Sequence, residues 1–376
     1  MSRRLRVALL GSRGVPGRYG GYETLCQELA PRLVARGFEV TVYGRAHYVS
    51  ARRRSFRGAR LVVLPTLRTK HLDTPAHTLL ACLHAAAERY DAALVVNTAN
   101  AIFLPLLECA GVPTVLNVDG IEKRRAKWGR FGRAVYALSE RLATTLPSAL
   151  VTDAEVIRRH YLERYAARST VVAYGVDPKP PRSQRVLRRL GIESRRYLLY
   201  VSRFEPENNP HRVVEAYRRF AGDLPLVMVG SAPYASRFVA SFVGVADPRV
   251  RFPGAIYGAG YRQLRSHAFA YVHATEVGGT HPALVEAMGY GNACLVHDSP
   301  ENRETAGEAA LYFSAGDPAS LVARLRELVE RPARAGELRA AAAERARARF
   351  DWETVADRYA ELLAGVAGGM RPGAPA

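Results

Sequence analysis

Short apolar runs with no polar alternation recur along the first half of the chain, each followed by a stretch with helical spacing. Arg6–Gly11 is β-branched and Leu-rich, the pattern of a parallel strand buried on both faces. Tyr22–Arg36 carries Leu25, Leu29 and Leu33 at helical spacing and stops at Gly37. Strands are then predicted at Phe38–Tyr43, Leu61–Leu64, Ala92–Val96, Thr114–Val118 and Ala149–Thr152, with helices around 76–89, 101–109, 132–145 and 153–163. This βαβ series predicts a doubly wound parallel sheet.

Gly175–Arg182 (GVDPKPPR), with three prolines in eight residues, reads as a linker. A second series follows, with strands at Tyr197–Val201, Leu224–Val229, Val250–Phe252, Ala270–His273 and Ala293–His297, and helices near 208–220, 282–289 and 317–331. Residues 333–348 read as helix, and Phe350–Leu363 as a last amphipathic helix. The expected organisation is an α/β chain: an N-terminal Rossmann-like domain over 1–178, a second over 179–349, a helix over 350–367 that returns to the first domain, and a disordered tail over 368–376. Two such halves imply a cleft between them, the usual home of a ligand site. The apolar stripe of Trp352, Val355, Tyr359 and Leu362–Leu363 is what should take the last helix back.

Length and composition agree: 376 residues suit two domains, and 48% hydrophobic with 24% charged residues is ordinary for a globular protein. No apolar run reaches the ~18–20 residues that span a bilayer, and VALLG reads as a buried strand rather than a leader. Cys26, Cys82, Cys109 and Cys294 are scattered, each in an apolar setting, which predicts neither a disulfide framework nor a zinc site and fits the cytoplasm.

Charge adds one thing. Lys plus Arg minus Asp plus Glu is 54 − 35 = +19. Residues 1–60 contribute 13 − 3 = +10, and residues 122–133 contribute 6 − 1 = +5. Such a surface attracts phosphorylated substrates, acidic lipid or nucleic acid, or reflects solubility and codon usage alone. The run from Glu122 to Arg133, with Trp128, Phe131 and Val135 interleaved, together with Arg52, Arg53, Arg54 and Arg57, predicts a face for an anionic membrane. No nucleic-acid reading module is present, so nucleic acid is not an expected partner.

Three loops hold the candidate chemistry. Gly11–Gly21 has five glycines in eleven residues and leads into a helix. It reads as a phosphate or sugar loop ending at Gly20 and Gly21 or as a flexible connection, and it matches neither a dinucleotide fingerprint nor a Walker loop. Glu276–Pro282 follows a strand and opens a helix: Gly278 and Gly279 leave backbone N–H groups for an anion, Thr280 is expected as N-cap, and Glu286 one turn on can accept from a ribose diol. Ser202–Asn209 follows another strand, and Arg203 can pair with a diphosphate. Asn97, Thr98 and Asn100 stand at a strand end as candidate acceptor contacts. Tyr22 and Glu23 open the first helix in the same role, Glu23 reading equally as a helix-start charge. His273, on an apolar strand, reads as a satisfied core residue, and His281 as a sugar or phosphate contact.

Together these loops resemble the retaining glycosyltransferases of family 4, with the GT-B fold. GSRGVPGRYGGYETLCQELAPRLVARGFEVTVYGR and VDGIEKRRAKW resemble a narrower branch, the bacterial rhamnosyltransferase-like proteins of capsule and exopolysaccharide synthesis. The resemblance implies a nucleoside-diphosphate sugar donor, dTDP- or UDP-linked, held by the C-terminal domain, no metal and no further cofactor. It also implies a sugar or lipid-diphosphate-linked acceptor and retention of configuration. The second Glu of the family's paired-glutamate motif matches Glu286, while the first falls on Gly278, with Glu276 two positions earlier. The family's Arg and the Lys five residues on match Arg203 and Asn208, so the lysine is lost. The N-domain residue near the reacting centre matches Asp119, which reads otherwise as a turn cap before Gly120. A non-hydrolysing nucleotide-sugar epimerase of the same fold is the alternative, with a basic nucleic-acid-binding protein as a further one.

Overall fold

The computed structural model describes residues 3–17, 20–69, 72–121, 129–179, 181, 183–232, 236–244 and 247–369. The chain divides into two compact units. The described residues of the first lie within 3–121, 129–174 and 352–369, and those of the second within 175–351.

The first unit contains β1 (Arg6–Leu10), α1 (Gly21–Ala35), β2 (Glu39–Arg45), β3 (Ser55–Phe56), β4 (Ala59–Leu64), α2 (Asp73–Glu88), β5 (Ala92–Val96), a 3-10 turn (Thr98–Phe103), α3 (Leu104–Glu108), β6 (Thr114–Val118), α4 (Arg130–Leu142), β7 (Ala149–Thr152), α5 (Glu155–Tyr165) and β8 (Thr170–Val171). Its strands form one sheet in the order β3-β4-β2-β1-β5-β6-β7-β8, parallel except for β3 against β4. Successive residues of a strand point to opposite faces. Thus Val7 and Leu9 enter one core with Leu25, Leu29 and Leu33 of α1, while Ala8 and Leu10 enter another with Ala81, Cys82 and Ala85 of α2. That double burial is why the strands read as unbroken apolar runs.

His77 on α2 is wholly buried, and its Nε2 lies 3.1 Å from the Gly44 carbonyl. A carbonyl only accepts, so Nε2 carries the proton, and Nδ1 is left without a partner. Burial, with Arg45 adding to it, pushes the imidazole down to about 4. The unfolded chain therefore binds this proton more tightly than the folded one. The stability due to neutral His77 should be complete above about pH 6.5 and fall as the pH drops toward 4, by about 3 kcal/mol in all. Urea melts of wild type and His77→Gln between pH 7 and 4 check this: the wild-type slope should shrink in the variant.

The second unit contains α6 (Arg185–Leu190), β9 (Leu198–Val201), α7 (Pro210–Arg218), β10 (Leu226–Val229), α8 (Ser236–Val243), β11 (Val250–Gly254), α9 (Gly258–His267), β12 (Ala270–His273), α10 (Pro282–Gly289), β13 (Ala293–His297), α11 (Pro300–Ala306), β14 (Ala310–Phe313), α12 (Pro318–Glu330) and α13 (Pro332–Arg349). The strands form an all-parallel sheet in the order β11-β10-β9-β12-β13-β14. The final helix, α14 (Trp352–Ala367), packs in the first unit on the α1 face.

The structure corrects several details. The predicted helix at 101–109 is a 3-10 turn followed by the short α3, which has Pro105 in its first turn. β14, α6, α8, α9 and α11 were not predicted. The first part of the expected linker is built into the second unit: Val176 N–H donates to the Phe350 carbonyl at 2.7 Å, and Lys179 N–H donates to Tyr290 Oη at 3.0 Å. Cys109 is exposed, against the apolar setting expected. Glu122–Trp128 of the basic run, and residues 370–376 of the tail, lie outside the described residues.

Candidate active site

In an open parallel sheet the two strands at which winding reverses send their following loops apart, leaving a crevice at the carboxyl edge. In the second unit those strands are β9 and β12, and the loops are Ser202–Asn209 and Ala274–His281. Glu276 N–H donates to the Glu207 carbonyl at 3.0 Å, and Asn209 Nδ2 donates to the Ala274 carbonyl and to Glu276 Oε1, both at 2.9 Å. Glu276 is exposed, with one carboxylate oxygen held by Asn209.

Asn208, expected to face a donor, does not. It is buried, its Nδ2 donates to the Arg203 carbonyl at 2.7 Å, and its own carbonyl accepts from Tyr200 Oη at 2.6 Å. Its amide is used to close the loop that presents Arg203. The Arg203 side chain is one-third exposed, with Nη1 3.8 Å from Glu205 Oε1.

The N-cap of α10 is His281, not the expected Thr280, and Pro282 takes the first helical position. The helix therefore begins one residue later than the Thr280 cap implied. The His281 side chain makes no capping hydrogen bond, and the positive end of the helix dipole favours an anion. Gly278 is required here for space: a Cβ would run into the His281 ring. Beneath that ring lies His273, 3% exposed, its ring centroid 4.9 Å from that of His281. Burial, then the neighbouring His281 and His297, push His273 well below the usual imidazole range, so it is neutral at pH 7. Its Nε2 lacks a hydrogen-bond partner, which departs from the satisfied core residue expected. Asn302 braces the region, with Nδ2 donating to the Thr275 and His297 carbonyls at 2.9 Å each.

Glu286, one turn into α10, is ion-paired: Arg265 Nη1 of α9 lies 2.5 Å from Glu286 Oε2. The Arg265 guanidinium is sandwiched between the rings of Tyr261 and Tyr290, 4.5 and 4.3 Å from their centroids. Burial alone would lower the Arg265 pKa, but the Glu286 carboxylate together with Tyr261 and Tyr290 outweighs it and the pKa is raised. Burial, then the Glu286 carboxylate, also raise Tyr261.

In the first unit the reversal falls between β1 and β5. Gly11 has φ +94°, and a Cβ there would meet the Val96 carbonyl oxygen and the Asn100 amide, so the glycine loop leaves the sheet against the end of β5. The first turns of α1 fold back on the loop: Glu23 Oε1 accepts from Arg13 N–H at 2.8 Å, and Gln27 Oε1 from Gly17 N–H at 2.9 Å. Glu23 is buried and pairs with the Arg13 guanidinium at 3.7 Å, so it organises the loop rather than facing an acceptor. Gly20 is the N-cap of α1, Gly21 its first residue, and Tyr22 packs part-buried on the α1 core. Asn100 also departs from the expected acceptor role. Buried, it accepts from Thr78 Oγ1 at 2.8 Å and donates to the Val96 carbonyl at 2.7 Å. Thr98 is buried too, whereas Asn97 is part-exposed and caps the 3-10 turn by accepting from Ala99 N–H at 3.0 Å. Asp119 is part-exposed directly after β6, and Gly120 follows at φ +144°.

The family described as Glycosyl transferases group 1 matches residues 184–349, and the Glycosyl transferase 4-like domain matches residues 20–175. Neither spans half the chain alone, but together they cover most of both units. The chain is a glycosyltransferase of the GT-B fold.

Among solved structures, the glycosyltransferase is similar to a sucrose-phosphate synthase from Thermosynechococcus elongatus, with TM-score 0.83 and 17% identity over 97% of this chain and 100% of that one. Alr3699/HepE from Anabaena, solved in complex with UDP-glucose, aligns at TM-score 0.76 and 16% identity, over 96% and 100% of the two chains. The alpha-maltose-1-phosphate synthase of Mycolicibacterium smegmatis is 26% identical over 281 residues, 67% of this chain and 73% of that protein.

Sequence reasoning missed Arg265, Tyr261, Asn209 and Asn302 of this glycosyltransferase. Arg265 stands 21 positions before Glu286 on another helix, and no local spacing links them. Tyr290 had a signal, being four residues after Glu286 on the same helical face.

Proposed function

We propose that this glycosyltransferase moves a hexosyl unit, rhamnose or a related sugar, from a dTDP- or UDP-linked donor to an acceptor hydroxyl with retention of configuration. The observation that carries the reading is the placement of a cation, Arg203, and the N-terminus of α10 on the two loops that flank the winding reversal of the second sheet. Arg203 and the backbone N–H groups of Gly278, Gly279, Thr280 and His281 bind the diphosphate. Glu286, paired with Arg265, accepts from a ribose hydroxyl. Glu276, ordered by Asn209, faces the donor sugar. The UDP-glucose complex of Alr3699/HepE supports a nucleotide-sugar donor.

On the first unit, the glycine loop ending at Gly20 and Gly21, with Tyr22 and Asn97, lines the acceptor. Asp119 orients the acceptor hydroxyl. The acceptor oxygen bonds to the sugar C1 on the face from which the phosphate leaves. The C1–O bond to the diphosphate breaks, and the acceptor proton passes to the departing phosphate. No metal takes part in this reading. The protein contributes positioning and stabilisation of the departing charge. The acceptor is a polysaccharide precursor or a lipid-diphosphate-linked sugar at the inner face of the membrane.

The test incubates wild type, Arg203→Ala and Glu286→Ala with UDP-glucose or dTDP-rhamnose and a lipid-diphosphate-linked sugar, and measures free UDP or dTDP. Release should require the acceptor and fall at least tenfold in both variants, given ~1.5–3 kcal/mol per charged hydrogen bond. Conversion of the donor to an epimer with no acceptor present would overturn the proposal.

A further inference from the structure

Helix α2 has its large apolar residues on the outside. Its buried face is made of His77, Thr78, Ala81, Cys82 and Ala85. Its outer face presents Leu79, Leu80 and Leu83, exposed by 40%, 41% and 49%, preceded by Leu72 at 51%. Positions 72, 79, 80 and 83 follow helical spacing, so the leucines form one stripe. Between Thr74 and Ala87 there is no Asp, Glu, Lys or Arg to interrupt it. An amphipathic surface helix has the reverse arrangement, and a contiguous exposed apolar stripe marks a docking site.

The charges at the two ends of the stripe specify its partner. Both acids of the helix are neutralised within the protein: Asp73 pairs with Arg45 at 2.5 Å, and Glu88 with Arg60 at 3.0 Å. The bases at the ends, Arg68 before the helix and Arg89 after it, are exposed and have no ion pair among the described residues. The stripe itself has no aromatic ring and no hydrogen-bonding group of the kind that anchors a specific protein partner. A second copy would bring like charges at both ends together. Among the described residues no helix is long and apolar enough to cross a membrane, so contact of this stripe with a bilayer would be at its surface.

We infer that the outer face of α2 docks on an anionic bilayer, with the leucines in the acyl boundary and Arg68 and Arg89 on acidic headgroups. The stripe shares no residue with the basic run at 122–133, and the inference does not depend on the donor assignment.

Co-sedimentation of the full chain with phosphatidylglycerol–phosphatidylcholine vesicles tests it. Wild type should pellet with these vesicles and release at high salt. The triple variant Leu79→Gln, Leu80→Gln, Leu83→Gln should bind about a hundredfold more weakly while melting like wild type, since the leucines are exposed. Arg68→Gln with Arg89→Asn, which leaves the stripe intact, should bind about tenfold more weakly at low salt. Wild type that stays in the supernatant at low salt would overturn the inference, as would a triple variant that binds like wild type. A wild-type dimer that the triple variant makes monomeric in light scattering would assign the stripe to a second copy and overturn it as well.

Discussion

Truncation after Asp351 is expected to leave the first unit unable to fold. Helix α14 buries Trp352, Val355, Ala356, Tyr359, Leu363 and Val366, in one core with Leu25, Leu29 and Leu33 of α1 and Leu94 and Val96 of β5. At ~1.5–3 kcal/mol for each large apolar side chain, removing them costs about 10 kcal/mol, comparable with the ~5–15 kcal/mol that holds a whole domain together. The loss is also polar. Asn117 Nδ2 in the middle of β6 donates to Tyr359 Oη at 2.7 Å and would be stranded. Pairs at the rim, Arg32 with Glu353 at 2.8 Å and Arg36 with Asp357 at 2.7 Å, add little, because both carboxylates are largely exposed. Soluble yield and a thermal melt check the prediction. A soluble truncated chain with the wild-type transition would show that α14 is not part of the core. Tyr359→Phe isolates the polar part: it keeps the ring, strands Asn117, and should cost about 1–3 kcal/mol.

Arg265→Ala should destabilise the second unit by about 3–5 kcal/mol, the cost of removing one partner of a buried ion pair. The guanidinium fills the slot between Tyr261 and Tyr290 as well as balancing Glu286, so both packing and charge are lost. Glu286→Gln should cost less, since the amide oxygen still accepts from Arg265 and the faces of Tyr261 and Tyr290 still hold the guanidinium that loses its counter-charge. Urea melts of the two variants test the order. Equal stability of Arg265→Ala and wild type would show that Glu286 is held by other groups.

How much of this was legible depended on whether the physics was local. Parallel strands buried on both faces announce themselves as short apolar runs, so Ala92–Val96, Thr114–Val118, Ala149–Thr152, Ala270–His273 and Ala293–His297 were found with their observed bounds. The strand Ala310–Phe313 was missed because it adjoins a glycine-led 3-10 turn that hides where the apolar run begins. Helix Gly258–His267 contains two glycines and mixes polar with apolar positions, which hides its period. The loops that carry Arg203 and Gly278–His281 were legible from glycine, proline and charge at strand ends. The internal duties of Asn208, Asn100 and Glu23 were not, because a polar residue at a strand end reads the same whether it faces a ligand or ties down a carbonyl. The Arg265–Glu286 pair arises only when α9 and α10 lie side by side, and no spacing along the chain encodes that.

Calorimetric titration of the full chain with UDP, dTDP and their sugar conjugates tests most directly the claim that the winding reversal of the second sheet holds a nucleoside diphosphate. The account predicts saturable binding of at least one of them, about tenfold or more weaker in Arg203→Ala, while the melting temperature of that variant stays near wild type because the side chain is partly exposed. Wild type that binds none of these ligands, or Arg203→Ala that binds them with wild-type affinity, would contradict it.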